Sequence, residues 1–390
     1  MPDASSAIAL AQQLVRINTV NPPGNEGTAA HAAGGLLEAA GFSVAYHELS
    51  PGRLNVVAEL KGSSNEKPLC FTGHLDTVPL GAAEWSADPF GGELDSGKLF
   101  GLGTTDMKAG IAAMVVAAIE AARRPVRRGL KLVLTAGEET GCEGAMALVR
   151  SGALGEAGAV IVGEPSSNQP FVGHRGALWL KLVHTGRTAH GSMPELGDNA
   201  VLKAAHTVAA LDDFGFNSVP HPVLGKPTMN IGYIHGGANV NSVPDRAEVG
   251  VDIRTVPGQD HAEICERIAA RSHENCMVES VLDLKSVYSD PSNAWLIRTL
   301  SLIERVTGRA ETGASGAPYF TDAAVLNPAF GHPPFIILGP GEAAMAHQTD
   351  EYCFVERIDE AADIYRSIAA DWCDPAIVWV ISDNLLDAAG

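Results

Sequence analysis

The sequence predicts an α/β fold: an αβα sandwich around a mainly parallel sheet, interrupted by a smaller βαββαβ domain. Three observations predict it. The N-terminal part alternates short β-branched runs with helix-patterned segments, as expected of a sheet covered by helices on both faces. After Gly176 the order changes to strand, helix, two strands, helix and strand, the ferredoxin-like arrangement that folds as a compact unit. The chain has 390 residues, 46% of them hydrophobic, enough for two cores of ordinary size.

In chain order, Ala7 to Ile17 reads as a helix, Pro22 to Gly24 as a turn, and Ala29 to Ala40 as a second helix stopped by Gly41. Strand patterns follow at Phe42 to His47, Asn55 to Leu60 and Leu69 to Thr72. A small-residue helix is expected over Gly110 to Ala122, with buried strands at Leu130 to Ala136 and Ala159 to Gly163. The inserted unit reads as strand Ala177 to Thr185, helix Asn199 to Phe214, strands Thr228 to His235 and Ala247 to Thr255, helix His261 to His273 and strand Met277 to Val287. Helical and strand patterns resume from Trp295. The expected domains are 1–176 and 290–390 for the sandwich and 177–289 for the insertion.

With 27 basic and 46 acidic side chains the net charge is −19, which disfavours nucleic acid and anionic membrane surfaces as partners. No run approaches the ~20 apolar residues of a membrane span. The opening residues lack the basic and apolar regions of a signal peptide. Six cysteines lie scattered, without a CxxC, as suits reduced thiols. Together these features predict a cytoplasmic protein.

Five segments carry candidate chemistry. Leu69-Cys-Phe-Thr-Gly-His74-Leu-Asp76 places an imidazole at a strand end, with Asp76 able to orient it. Gly101-Leu-Gly-Thr-Thr-Asp106 presents one aspartate from a glycine-rich loop before a helix, where an N-cap is the ordinary alternative. Glu138 and Glu139 follow another strand, Glu164 follows Val160-Ile-Val, and His347 follows the apolar run Phe335 to Leu338. Each alone suits a loop or a cap. Together, two histidines and several carboxylates at strand ends suit a pair of divalent ions ~3.5 to 4 Å apart, with one carboxylate bridging. A carboxylate is left over, as a general base requires.

At this point the ordered motifs resemble the co-catalytic zinc hydrolases that include acetylornithine deacetylase, succinyl-diaminopimelate desuccinylase, aminoacylase and glutamate carboxypeptidase. The resemblance extends over nearly the whole chain. It implies two divalent ions, zinc first with cobalt or manganese as substitutes. One ion falls to His74, Asp106 and Glu164, the other to Asp106, Glu139 and His347. It also implies Glu138 as the base and Asp76 as the carboxylate steadying His74. The insertion resembles the family's lid and dimerisation domain. Thr188-Ala-His190-Gly matches the segment whose histidine reaches an active site, generally that of the other subunit of a homodimer. Asn241 and Arg254 match residues that hold a substrate carboxylate.

The implied reaction is cleavage of the amide of a small, carboxylate-bearing N-acyl amino acid. A dipeptidase or carboxypeptidase, an N-carbamoyl amidohydrolase and an aryl-amine aminohydrolase are alternatives on the same site. An inactive dimeric binding protein is the non-enzymatic alternative, against which the spare Glu138 argues. Where desuccinylases carry Gly-Thr-Ser-Asp-Gly, this chain has Ala317-Pro-Tyr-Phe-Thr321-Asp322-Ala-Ala, implying a more apolar acyl pocket. His174, His184, His235 and His332 match no ligand position and are expected to be structural.

Overall fold

A computed structural model describes residues 6–310 and 314–374. The opening residues 1–5, read above for a signal peptide, and residues 375–390 of the last expected domain segment lie outside the described residues. The chain forms two compact units. The first takes in the chain up to Gly173, Ser289–Ser315 and the chain from Thr321 on; the second takes in His174–Tyr288 and Gly316–Phe320.

The first unit is built on a mixed sheet in which the neighbouring strands run Ser43–Ser50, Arg53–Leu60, Leu130–Thr135, Leu69–His74, Ala159–Val162, Phe335–Ile337 and Phe171–His174. The middle four are parallel, and antiparallel strands flank them on both sides. Leu69–His74, Leu130–Thr135 and Ala159–Val162 are buried along their whole length, as strands covered on both faces should be. Register aligns their carboxyl ends: His74 lies opposite Thr135, and Thr72 opposite Val162. The loops after these strands therefore leave the sheet along one edge, the edge where open α/β sheets place ligands.

The helix Ala109–Ala121 crosses this sheet with Ala109 to Ala118 buried throughout. Its small residues permit close approach. A Cβ on Gly110 would stand 2.3 Å from the carbonyl oxygen of Gly163, so only glycine lets the helix start against the loop that carries Glu164. This contact brings the Asp106 loop beside Glu164.

The second unit is a four-stranded antiparallel sheet in the order Thr228–Gly236, Arg246–Thr255, Gly176–Thr185 and Met277–Leu284. Numbered by chain order the strands run 2-3-1-4, the ferredoxin-like order. Helices Ala200–Leu211 and His261–Arg271 begin at Asn199 and Asp260, whose side chains accept main-chain N–H groups of the first turn. Leu178, Leu180, Leu182, Val249, Val251 and Ile253 pack with Ala204, Ile264 and Ile268 on the helix-covered face. Alternation sends Trp179, Asp252 and Arg254 to the other face, where each stays partly exposed.

Some local expectations differ. The last strand of the second unit ends at Leu284 rather than Val287, after a bulge between Ser280 and Leu282. A helix at Glu143–Ser151 and a three-stranded sheet of Glu93–Asp95, Lys98–Phe100 and Tyr352–Phe354 were not among the expected elements. All six cysteines are free thiols. Among the described residues no helix is long and apolar enough to cross a membrane.

Candidate metal centre

His74 closes its strand with a buried ring whose Nδ1 lies 3.0 Å from the main-chain oxygen of Asp76. A carbonyl only accepts, so Nδ1 carries the proton. The other nitrogen, Nε2, then holds the lone pair of a neutral ring. It faces Asp106 Oδ1 at 3.0 Å and Glu164 Oε1 at 3.7 Å. A lone pair aimed at two carboxylates is stable only with a positive charge between them, either a second ring proton or a cation. Burial alone favours the neutral ring, but Glu164, Asp106 and Asp76 outweigh it and raise the His74 pKa well above its usual value.

Asp106 divides its two oxygens between two imidazoles, with Oδ2 at 3.4 Å from His347 Nε2. His347 also reaches Glu139, at 3.2 Å. Hydrogen bonds to Asp106 and Glu139 bring the pKa of His347 up to about 10, against the effect of burial. The Asp106 carboxyl is held well below its usual range: burial works against this, and His347 and His74 prevail. On the other side, His74, Glu138 and Glu164 form a second cluster whose candidate donor atoms lie within 4.8 Å of one another. Burial pushes the pKa values of Glu138 and Glu164 well up; Asp106 adds to it for Glu164, and Glu164 and Asp322 add to it for Glu138.

These groups are held by Asp76, which the sequence had singled out, and by Glu351 and Asp322, which it had not. The buried Glu351 carboxylate accepts the main-chain N–H groups of Gly103, Thr105 and Asp106 at 2.8, 2.7 and 3.0 Å, fixing the loop that presents Asp106. Asp76 does the same for the glutamates, accepting from Glu138 N at 3.1 Å and Glu139 N at 3.3 Å, and from Asn21 Nδ2 at 2.9 Å. Asp322, buried and bonded to the Thr135 hydroxyl, adds a further carboxylate near Glu138. The place of Glu351 four residues after His347, in Ala346-His347-Gln-Thr-Asp-Glu351, was the one available signal for it.

The donor set fits divalent ions. Imidazole nitrogens and carboxylate oxygens are the donors such ions take, and the protons drawn onto His74, His347, Glu138 and Glu164 stand where cationic charge is needed.

The model of peptidase family M20/M25/M40 matches residues 70–371, a span that includes every residue of this cluster except Asn21. The chain belongs to that family. It is 32% identical to a probable succinyl-diaminopimelate desuccinylase of Staphylococcus epidermidis, over 82% of this chain and 87% of that one. It is 31% identical to an acetylornithine deacetylase of Proteus mirabilis, over 86% and 88%. In fold it resembles an M20 family metallo-carboxypeptidase of Sulfolobus solfataricus, with a TM-score of 0.79 at 17% identity over 93% of this chain and 98% of that one. This M20 member is thus a hydrolase of C–N bonds, from a family whose solved structures include a dinuclear metal-binding peptidase.

The second unit carries the remaining candidates. His190 is exposed, and its Nδ1 accepts from the main-chain N–H of Ser192 at 3.1 Å. Its loop is paired to that of Asn241: Gly191 N donates to Asn241 O at 2.7 Å, and Val243 N to Ala189 O at 2.8 Å. Arg254 lies elsewhere. It sits near the far end of Arg246–Thr255, eight residues along an extended strand, roughly 26 Å beyond the loop that carries Asn241. Within one chain, then, Asn241 and Arg254 do not face a single carboxylate, because a strand separates them. Arg254 is ion-paired to Asp252 at 3.0 Å. Of the histidines expected to be structural, His174 and His184 are buried.

Proposed function

We propose that this M20 enzyme hydrolyses the amide bond of small N-acyl amino acids that retain a free carboxylate. The observation that carries the reading is the pair of donor clusters that meet at His74, one with Asp106 and Glu139 and the other with Glu138 and Glu164, with His347 set against Asp106 and Glu139. In this reading His74, Asp106 and Glu164 hold one divalent ion, and Asp106, Glu139 and His347 hold the other, zinc being the first choice for such donors and cobalt or manganese workable substitutes. The ions supply Lewis acidity toward the amide carbonyl and lower the pKa of water.

The protein's own groups supply the rest. Glu138 takes the proton of the attacking water on a carboxylate oxygen and delivers it to the departing amine nitrogen, so that water and amide become a carboxylic acid and a free amine. Its buried position, which raises its affinity for a proton, suits that shuttle. Asp76 holds the main chain of Glu138 and the His74 ring. Glu351 holds Asp106.

His190 and Asn241 come in this reading from the neighbouring subunit of a homodimer formed through the second unit, while Arg254 of the same chain takes the substrate carboxylate. The strand-length separation of Asn241 from Arg254 favours this division over a joint grip by one chain. Two expected domain limits, after 176 and after 289, follow from the same reading of a lid inserted in a catalytic sandwich. The cytoplasm, where six unpaired thiols are at home, is its expected place. The test is a turnover panel on metal-reconstituted enzyme: N-acetyl, N-succinyl and N-carbamoyl amino acids beside dipeptides. Preferred cleavage of N-acyl amino acids is expected. Faster cleavage of dipeptides or N-carbamoyl compounds would replace this substrate class by the dipeptidase or carbamoylase alternative.

A further inference from the structure

Arg254 has a setting that an ordinary surface arginine lacks. Its Nε and Nη2 donate to Asp252 at 3.2 and 3.1 Å, and the other oxygen of Asp252 accepts the indole N–H of Trp179 at 3.0 Å. One carboxylate thus fixes both a guanidinium and an indole. The guanidinium carbon lies 5.9 Å from the centre of the Phe320 ring. Phe320 in turn meets Trp179 edge-on, 6.1 Å apart at 74°. Both rings stay partly exposed on the sheet face opposite the helices.

Two consequences follow from this geometry. Asp252 neutralises much of the charge of Arg254, so the remaining donors at Nη1 orient a substrate carboxylate more than they attract it. Affinity must then come mainly from apolar contact. The two rings, held in place before any ligand arrives, provide that contact with little ordering cost. A group attached to the carbon that bears the carboxylate, placed against Arg254, meets the Phe320 ring within a few ångströms.

We propose that Phe320 and Trp179 form an aromatic wall that selects N-acyl amino acids with a large apolar or aromatic side chain on the residue whose carboxylate Arg254 holds. The proposal rests on the reading of Arg254 as the carboxylate-holding residue.

The experiment compares kcat/KM for N-acetylphenylalanine and N-acetylalanine in the wild-type enzyme, Phe320→Ala and Trp179→Leu. In the wild type the phenylalanine substrate should lead by about 10-fold or more, the range of apolar pocket discrimination. The ratio should fall to within about threefold in Phe320→Ala, chiefly through KM, because the lost contact is made in ground and transition states alike. If Phe320→Ala does not fold, Phe320→Leu keeps packing volume and carries the same comparison, with a smaller fall expected. A wild-type ratio near one, or an unchanged ratio in the folded variants, overturns the wall while leaving the amide-hydrolase reading intact. No hydrolysis of any N-acyl amino acid overturns both.

Discussion

Replacing Asp76 by alanine removes the acceptor that ties three segments of the metal centre together. The side chain is fully buried and receives the main-chain N–H groups of Glu138 and Glu139, the amide of Asn21 and, at 3.5 Å, the facing Nδ1 of His74. Hydrogen bonds to a charged group are worth about 1.5–3 kcal/mol each, and stranded buried donors cost about as much. The two shorter bonds, from Asn21 and Glu138, sum to about 3–6 kcal/mol, and coupling within one network makes the lower half of that range the working figure. Loss of an oriented ligand should also weaken metal binding by about 10- to 100-fold. The assay is urea unfolding of the metal-free protein, followed by competition for zinc against a chromophoric chelator. A shift of about 3–4 kcal/mol at unchanged m-value, with weaker zinc binding, is expected. A metal-free stability within about 0.5 kcal/mol of wild type, with unchanged zinc affinity, would refute the tie.

Three further outcomes are expected. Chelation should abolish turnover, zinc, cobalt or manganese should restore it, and Glu139→Gln should need much more metal for the same recovery, as read by activity against free metal concentration. The buried His174 has its pKa lowered to about 4 by burial, with the Arg175 carbonyl opposing, against 6.5 in an unfolded chain. Between those values the unfolded chain binds more protons, so stability is full above pH 6.5 and falls by about 3 kcal/mol as the pH drops toward 4. His174→Phe should flatten that limb of the urea midpoint against pH. Mixing inactive His190→Ala with inactive Glu138→Ala subunits should restore roughly a quarter of wild-type activity if His190 crosses between subunits, since half the dimers are mixed and each has one complete site. No recovery despite proven exchange places His190 within its own chain.

The parts of the fold legible in the sequence were those marked by continuous apolar or small-residue runs. The parallel strands ending at His74, Thr135 and Val162 showed as short apolar runs, and the helix at Ala109–Ala121 as a run of small residues. Because those strands share a register, their following residues could be read as one site before any coordinates. The supporting residues were not legible. Glu351 acts on Asp106 across 245 positions and Asp322 on Thr135 across 187, and no local pattern encodes a partner so distant. The placement of Arg254 relative to Asn241 was hidden for a different reason: proximity in sequence order says nothing of which end of a strand each occupies, and the hairpin Thr228–Gly236 and Arg246–Thr255 fixes them apart.

The central claim is that Glu138 moves the proton while its neighbours hold the metals, and a single variant separates these roles. Glu138→Gln keeps the shape of the side chain and removes its basicity. Metal content by elemental analysis and kcat on N-acetyl amino acids should be measured on the same preparation. Two equivalents of metal retained, with kcat lower by about 10²-fold or more, is the predicted result. Turnover at the wild-type rate would contradict the assignment of Glu138 as the base, and loss of metal together with activity would make it a ligand instead.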